Sequence, residues 1–542
     1  MITFQTLRRA LCVSAASLLF GVAGATGARA QALTAGFTPG DLVVSLYGDG
    51  DAPEGDTTTY TDNEASPITL NELAFTGGAI TTSTPALPVV GQLVLPQVAS
   101  GTNNPISGEY GSSSEGTLEL SANAQLLTIA GYDVNAATYD AGGANFGQSF
   151  GGGTKSCLGD ANPCYPLAQT ASVSGTPGSA GSGVTTAMVV PRVIAAISAT
   201  GSVDTSTALT GVFNENNPRS VATVNGSTFY ISGQGEKNDT TTQGLFVASD
   251  GATTPSGHIY NTVDTRTVSI QNNQLFLSSD STEGAGVTEN ISSFGAAGSL
   301  PTGTTSPTIL STIKSKFTVT SLSQLNAYDQ ANLDSNPAFT TASKTKGIVY
   351  LSPENYFFAN PTTLYVADSG DPKGDNNGTV GNPGVGVDGE QGVSDGGLQK
   401  WTFNGTAWVL DYTLTAGLLD LVPDTTACGS DEVGCGTTGL IGLTGQVEPD
   451  GTVDLFSTNS TLGDEDQTYL YGITDTLADT DPSEVTGESF DVLETAPSDV
   501  NIRGVAFAPE TEEELPEPAS LALFGVGAAG LALLRRKRAA RR

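Results

Sequence analysis

The sequence predicts an all-β body of short antiparallel strands, and three observations lead there. Apolar residues come in alternating or continuous runs of about four to eight, the pattern of strands rather than of amphipathic helices. Turn formers are dense, with 67 Gly and 27 Pro among 542 residues, while charged residues make up only 14%. A unit of strand, tight turn and strand then recurs along the chain. Hydrophobic residues, at 38%, still suffice for a core.

The first element is an exported leader, residues 1–32. Arg8 and Arg9 precede an apolar run from Ala10 to Ala25, and Ala28-Arg29-Ala30 and Ala30-Gln31-Ala32 offer small-residue cleavage sites. Basic start, short apolar helix and Ala-x-Ala site together describe a secretory signal peptide cut after Ala30 or Ala32. The residues around Arg8-Arg9 fit a twin-arginine signal poorly.

The body, residues 33–512, opens with the strand Asp41 to Tyr47 and continues through Gly116 to Leu120, Leu126 to Ala130 and Arg192 to Ile197. Ser220 to Ser232 and Thr267 to Ser278 then repeat one plan: a strand, an Asn- or Gly-bearing turn, and a second strand ending in Ser. Asn-Gly turns accept the positive φ angles a hairpin needs. The plan returns at Leu398 to Leu410 around Asn404-Gly405 and at Gly442 to Phe456 around Asp450-Gly451. Further aromatic strands, Gly244 to Ala248, Thr363 to Ala367 and Thr468 to Ile473, continue these units. Sheets of about four strands with irregular insertions predict a β-propeller-like fold of about six or seven blades, a β-sandwich array being the competitor. The first strand and the last, Arg503 to Ala508, are expected to share a blade and close the ring, which protects their edges.

The last element, residues 513–542, holds Pro516-Glu517-Pro518, an apolar run from Ala519 to Leu534, and a basic end with Arg535, Arg536, Lys537 and Arg538. That run of 16 residues spans about 24 Å as a helix, short of a hydrocarbon core of about 30 Å. Its basic end orients the body outside the inner membrane. This tail resembles the PEP-CTERM sorting signal of Gram-negative bacteria, also called the ice-binding protein C-terminal domain. The resemblance implies export by the secretion machinery, processing by an exosortase, transient membrane insertion, and delivery to the cell envelope, cell surface or exopolysaccharide matrix. The body resembles a group of secreted bacterial propeller-like proteins at Ser114 to Leu118 with Gly131 to Asp133, Asn217 to Ser220, Leu398 to Val409 and Arg503 to Pro509. No activity is implied by that likeness.

Charge excludes several functions. The chain carries 21 basic and 56 acidic residues, a net charge of −35, with one histidine. Such an acidic chain does not attract nucleic acid or anionic membranes. Loss of the leader and of the tail from Pro516 onward would leave 12 basic and 55 acidic residues, since both ends are basic.

Four cysteines remain after the leader, in two equally spaced pairs, Cys157 with Cys164 and Cys428 with Cys435. In an oxidising compartment they read as two small disulfide loops, and a metal site would need closer spacing. Acidic Gly/Asn loops are the suggestive metal feature, above all Asp368, Asp371 and Asp375, whose oxygens suit Ca²⁺, although solvated turns use the same residues. His258 stands near Ser256 without a nucleophile elbow or an orienting acid, so a turn histidine is expected rather than a triad. Trp401 and Trp408 flank one hairpin and are expected to pack inside a blade rather than stack on sugars.

The sequence therefore points to a secreted, envelope- or matrix-sorted binding or structural protein without enzymatic activity. The alternatives are a carboxylate-dependent carbohydrate hydrolase or lyase and a calcium-dependent adhesin, with extracellular polysaccharide as the partner either way.

Overall fold

The computed structural model describes residues 32–33, 36–48, 64–141, 167–173, 189–236, 239–262, 264–279, 290–314, 316–319, 347–350, 352–370, 396–419, 436–461 and 466–511. Strand β1 (Leu42–Gly48), a β-branched and aromatic run, is buried along its whole length. It pairs antiparallel with β2 (Ala65–Leu73), which pairs with β3 (Val89–Val94). Next come β4 (Ser107–Glu109), β5 (Glu119–Leu120), β6 (Leu126–Tyr132), β7 (Arg192–Ser198) and β8 (Val203–Leu209). Strands β5 to β8 pair in chain order.

Four self-contained four-stranded sheets follow. The first holds β9 (Pro218–Thr223), β10 (Thr228–Gly233), β11 (Gly244–Ser249) and β12 (Gly257–Tyr260). The second holds β13 (Thr265–Gln271), β14 (Gln274–Ser279), β15 (Asn290–Phe294) and β16 (Pro307–Lys314). After the pair β17 (Lys316–Val319) and β18 (Gly347–Tyr350), the third comprises β19 (Pro353–Asn360), β20 (Thr363–Asp368), β21 (Gly397–Phe403) and β22 (Trp408–Leu414). The fourth is β23 (Thr437–Val447), β24 (Thr452–Thr461), β25 (Tyr469–Thr476) and β26 (Asp491–Thr495).

Strand β27 (Val500–Phe507) returns to β1 as expected, with Leu42 opposite Phe507 and Val44 opposite Val505. The arrangement is propeller-like. Four separate blades stand among the described residues, not six or seven, because short β4 bonds to both β2 and β6 and fuses the strands around the closure into one nine-stranded sheet. The helices described are α1 (Ala136–Ala141) and a 3₁₀ turn at Leu167–Gln169; the expected signal and C-terminal helices lie outside the described residues. No described helix is long and apolar enough to cross a membrane.

Inner strands meet in a closed circuit: β9 lies against β13, β13 against β19, β19 against β23, β23 against β27, β27 against β5, and β5 against β9. The apolar core sits between the faces of successive sheets. Phe229, Ile231 and Phe246 meet Ile194 and Leu209 in one layer, and Tyr365, Leu398 and Tyr412 meet Leu455 and Tyr471 in another.

A hydroxyl clasp recurs around this circuit. Thr128, Ser232, Ser278, Thr458 and Ser45, each on a second strand, donate to the main-chain oxygens of Val221, Arg266, Glu354, Arg503 and Gly116 on the next inner segment. These five bonds explain the Ser that ends the repeated unit. Each ties a main-chain carbonyl of one inner segment to a side chain of the unit before it.

The predicted hairpins form with the expected turns. Asn272 and Asn273 both take positive φ between β13 and β14, and Gly405 and Gly451 do so in their own turns. One assignment changes. Thr363 to Ala367 precedes the Leu398 hairpin as the second strand of its sheet, so that hairpin forms the outer half of the blade.

Candidate functional site

The body contains four arginines, Arg192, Arg219, Arg266 and Arg503, and all four point inward. Arg219 stands near the start of β9, Arg266 of β13 and Glu354 of β19, while Arg503 lies on β27 and Glu115 just before β5. Together with Ser113, Ser114 and Gly442 they line a narrow cleft where the inner strands converge. Including the open solvent at its mouth, the cleft encloses about 280 Å³, but its interior has room for about one water molecule.

These charges answer one another. Asp264 takes Arg219 Nη1 and Arg266 Nε, the latter at 3.2 Å, on one carboxyl oxygen. Arg266 Nη1 reaches Glu354 Oε2 at 3.1 Å and donates to Ser114 Oγ at 3.0 Å. Glu354 Oε1 accepts from Ser369 Oγ at 3.0 Å. Arg219 also donates to Gln234 Oε1 at 3.0 Å, and Arg503 Nη2 to the Tyr110 carbonyl at 3.0 Å. Glu115 accepts from Tyr132 Oη at 2.6 Å, Asn217 Nδ2 at 2.8 Å and the Glu109 amide at 3.1 Å.

The electrostatics follow from burial and proximity. Burial works to raise the carboxyl of Asp264, but the guanidiniums of Arg266 and Arg219 outweigh it and hold the group below the usual carboxylate range. Burial pushes Glu115 up, against its three hydrogen bonds and the charge of Arg192. Arg219 is lowered by burial and then by its neighbour Arg266.

Gly116 makes this crowding possible. Its φ is +86°, and a Cβ there would stand 2.5 Å from the Cβ of Arg503. Arg192, fully buried behind the cleft, is a knot for the main chain: its guanidinium donates to the carbonyls of Val190, Thr170, Phe213 and Asn216 at 2.7–3.0 Å and lies 4.9 Å from the Tyr132 ring.

The arginines escape a motif search because no contiguous motif contains them. The available signal is scarcity. In a body so poor in basic residues, Pro218-Arg219, Thr265-Arg266 and Pro353-Glu354 repeat a charged residue at the same place near the start of an inner strand.

The residues singled out from the sequence lie elsewhere. Asp368 is fully buried at the end of β20; its Oδ1 accepts from the amides of Ser352 and Gly370, each at 2.9 Å, and its Oδ2 from Gln399 Nε2 at 2.7 Å. Asp371 and Asp375 lie outside the described residues, as do Cys157, Cys164, Cys428 and Cys435. Among the described residues no group of three or more His, Cys, Asp or Glu is placed to hold a metal ion.

His258 lies on β12 rather than in a turn. It stacks on Phe246 at 4.1 Å, bonds the Gln243 carbonyl at 2.9 Å, and is lowered by burial. Ser256 is bonded to the Val247 carbonyl at 3.1 Å. Trp401 and Trp408 are buried in one core layer with Tyr356 and Leu364, as blade packing requires.

Comparison with known proteins adds one finding about address. Structural likeness extends to a hypothetical selenium-binding protein from Sulfolobus tokodaii, at 10% identity and a TM-score of 0.32, covering 87% of this chain and 94% of that one. It extends also to apo AztD from Citrobacter koseri, at 9% identity and a TM-score of 0.26, covering 87% and 99%. Neither value supports an inference about activity. No curated protein matches the chain. Residues 514–538, which include Pro516-Glu517-Pro518 and the basic run Arg535 to Arg538, match the PEP-CTERM protein-sorting motif. The chain thus carries a PEP-CTERM sorting tail behind a β-propeller-like body, and the motif implies exosortase processing and export to the bacterial surface.

Proposed function

We propose that the protein is a non-enzymatic binding or structural component of the bacterial envelope or extracellular matrix, released from its tail by an exosortase and working as a rigid ring that presents its loops. The observation that carries this reading is the filled centre. Propellers that act on ligands through the axis need an open funnel, whereas here the inner-strand arginines and carboxylates bond to one another and leave space for about one water molecule. Glu115 and Glu354 are carboxylates at one cleft, the arrangement a glycosidase would need. Glu115 is held by Tyr132, Asn217 and a main-chain amide, and both oxygens of Glu354 are engaged by Arg266 and Ser369. That favours a structural lock over acid and base chemistry.

Contact with extracellular polysaccharide would fall to the segments between strands, with any Ca²⁺ taken by Asp371 and Asp375 and not by Asp368, whose two oxygens are engaged inside the blade. Two disulfide loops, Cys157 with Cys164 and Cys428 with Cys435, belong to the same reading of an exported protein in an oxidising compartment.

Fractionation of cells with and without the exosortase tests the sorting. Tail-free body outside the cell is expected with it, and intact chain in the membrane without it; intact chain in the membranes of both would overturn the sorting. A glycan array with and without chelator, followed by assay of any bound glycan for new reducing ends, tests the body. Cleavage of a bound glycan would overturn the non-enzymatic reading.

A further inference from the structure

A second charged cluster lies away from the cleft, between the third and fourth blades. Lys400, on β21, is fully buried and faces Tyr365 of β20 and Tyr412 of β22 in register. Its ammonium lies 5.6 Å and 5.1 Å from the centroids of those rings. Nζ donates to Asp475 Oδ2 at 2.7 Å, Tyr412 Oη at 2.8 Å and the Thr476 carbonyl at 2.6 Å. Asp475, on β25 of the neighbouring blade, is fully buried too and accepts the hydroxyls of Tyr365 and Tyr412, one on each oxygen. A third acidic group completes the set. Glu488 lies beside Asp475, and its Oε2 is buried without a hydrogen-bond partner.

We propose that Lys400 and Asp475 condense to an intramolecular isopeptide bond, with Glu488 moving the protons. An amine held against a carboxyl in a dry site, with hydroxyl donors on both carboxyl oxygens, has the parts that amide formation needs. The step begins when the ammonium passes one proton to the Asp475 carboxylate across their 2.7 Å contact, which leaves a neutral amine facing a neutral acid. Nζ then attacks Cγ, and the carboxyl oxygen that turns negative in the tetrahedral adduct keeps its own tyrosine donor, Tyr412 on Oδ1 or Tyr365 on Oδ2. Glu488 delivers its proton to the departing hydroxyl and takes one from the nitrogen in return, so it ends as it began. The Cγ–O bond breaks, water leaves, and an amide joins β21 to β25. No oxidant or outside reactant is consumed.

The protonation of Glu488 suits that role. Burial and the adjoining Asp475 carboxyl push it up to about 8, so it carries a transferable proton at neutral pH. Both tyrosines are raised by burial and by Asp475, which keeps them as donors. An ordinary buried ion pair would also hold two blades together; the third carboxyl set against Asp475, with one oxygen left unbonded, is what supplies a proton carrier beside the amine and the acid.

Mass spectrometry of the purified exported body, reduced and alkylated beforehand, tests this directly. The expected result is a chain lighter by one water than its sequence, with resistance to trypsin at Lys400 and a branched peptide joining Lys400 to Asp475. Glu488→Gln should fold, keep the full mass and yield separate peptides, as should Lys400→Met. Full mass in the unaltered protein, with trypsin cutting after Lys400, would overturn the proposal. Persistence of the branched peptide in Glu488→Gln would remove Glu488 from the mechanism.

Discussion

At Asp264 one carboxylate holds two guanidiniums from adjacent inner strands, and the balance of the cleft turns on it. Asp264→Asn is the informative change, because φ at this position is +53° and Asn tolerates that conformation, leaving the charge as the main loss. Removal of one partner from a buried ion pair costs about 3–5 kcal/mol, which urea unfolding at neutral pH should register. The depressed carboxyl of Asp264 stabilises the fold above the ordinary carboxylate range, and that contribution fades as pH falls below it. The variant should therefore lose less stability on acidification than the parent. Gly116→Ala tests the same crowding through the backbone. A positive φ and a Cβ placed on Arg503 predict a loss of about 1–3 kcal/mol in the same assay. At this scale the sequence was legible where a residue's own chemistry decides its place, as with Trp401 and Trp408 inside a blade. It was opaque for Arg219, Arg266 and Glu354, whose meaning arises only when strands far apart in the chain bring them together.

Between elements, the hydroxyl clasp is the repeated joint. Ser278→Ala would leave the Glu354 carbonyl buried without its donor, at a cost of about 1–3 kcal/mol measured by urea unfolding. The position that would carry the corresponding hydroxyl on β20 is near Ala367, where the sequence has no donor, and there the neighbouring Tyr365 and Lys400 reach across to the fourth blade instead. Closure of the ring rests on β1, which pairs with β2 on one side and β27 on the other. Val44→Pro at its centre should cost about 3 kcal/mol or more and make the chain sensitive to limited proteolysis, with fragments that separate under native conditions. Hairpins were readable from their Asn and Gly turns, and closure from the apolar runs at the two ends. The fusion of sheets was not, since β4 is three residues long and its bonds depend on where β2 and β6 happen to lie.

For the whole molecule, acidity and stability are linked. Burial raises Asp140 to about 7, Asp411 to about 6 and Glu494 to about 7. Groups raised on folding favour the fold while protonated, and that contribution is lost as pH rises through the raised values. Self-repulsion of the acidic body acts in the same direction. The urea midpoint should thus be higher near pH 5 than near pH 8.5; a flat or reversed profile would show that these carboxyls do not govern it. The closing strand sets a further condition. It ends at Phe507, and the sorting motif begins at residue 514, so residues 508–513 bridge the two and reach about 20 Å at full stretch. The strand that shuts the ring therefore also holds the sorting motif close to it. Translocation must deliver nearly the whole chain before the ring can close, and the processing enzyme then meets a finished ring on a short leash.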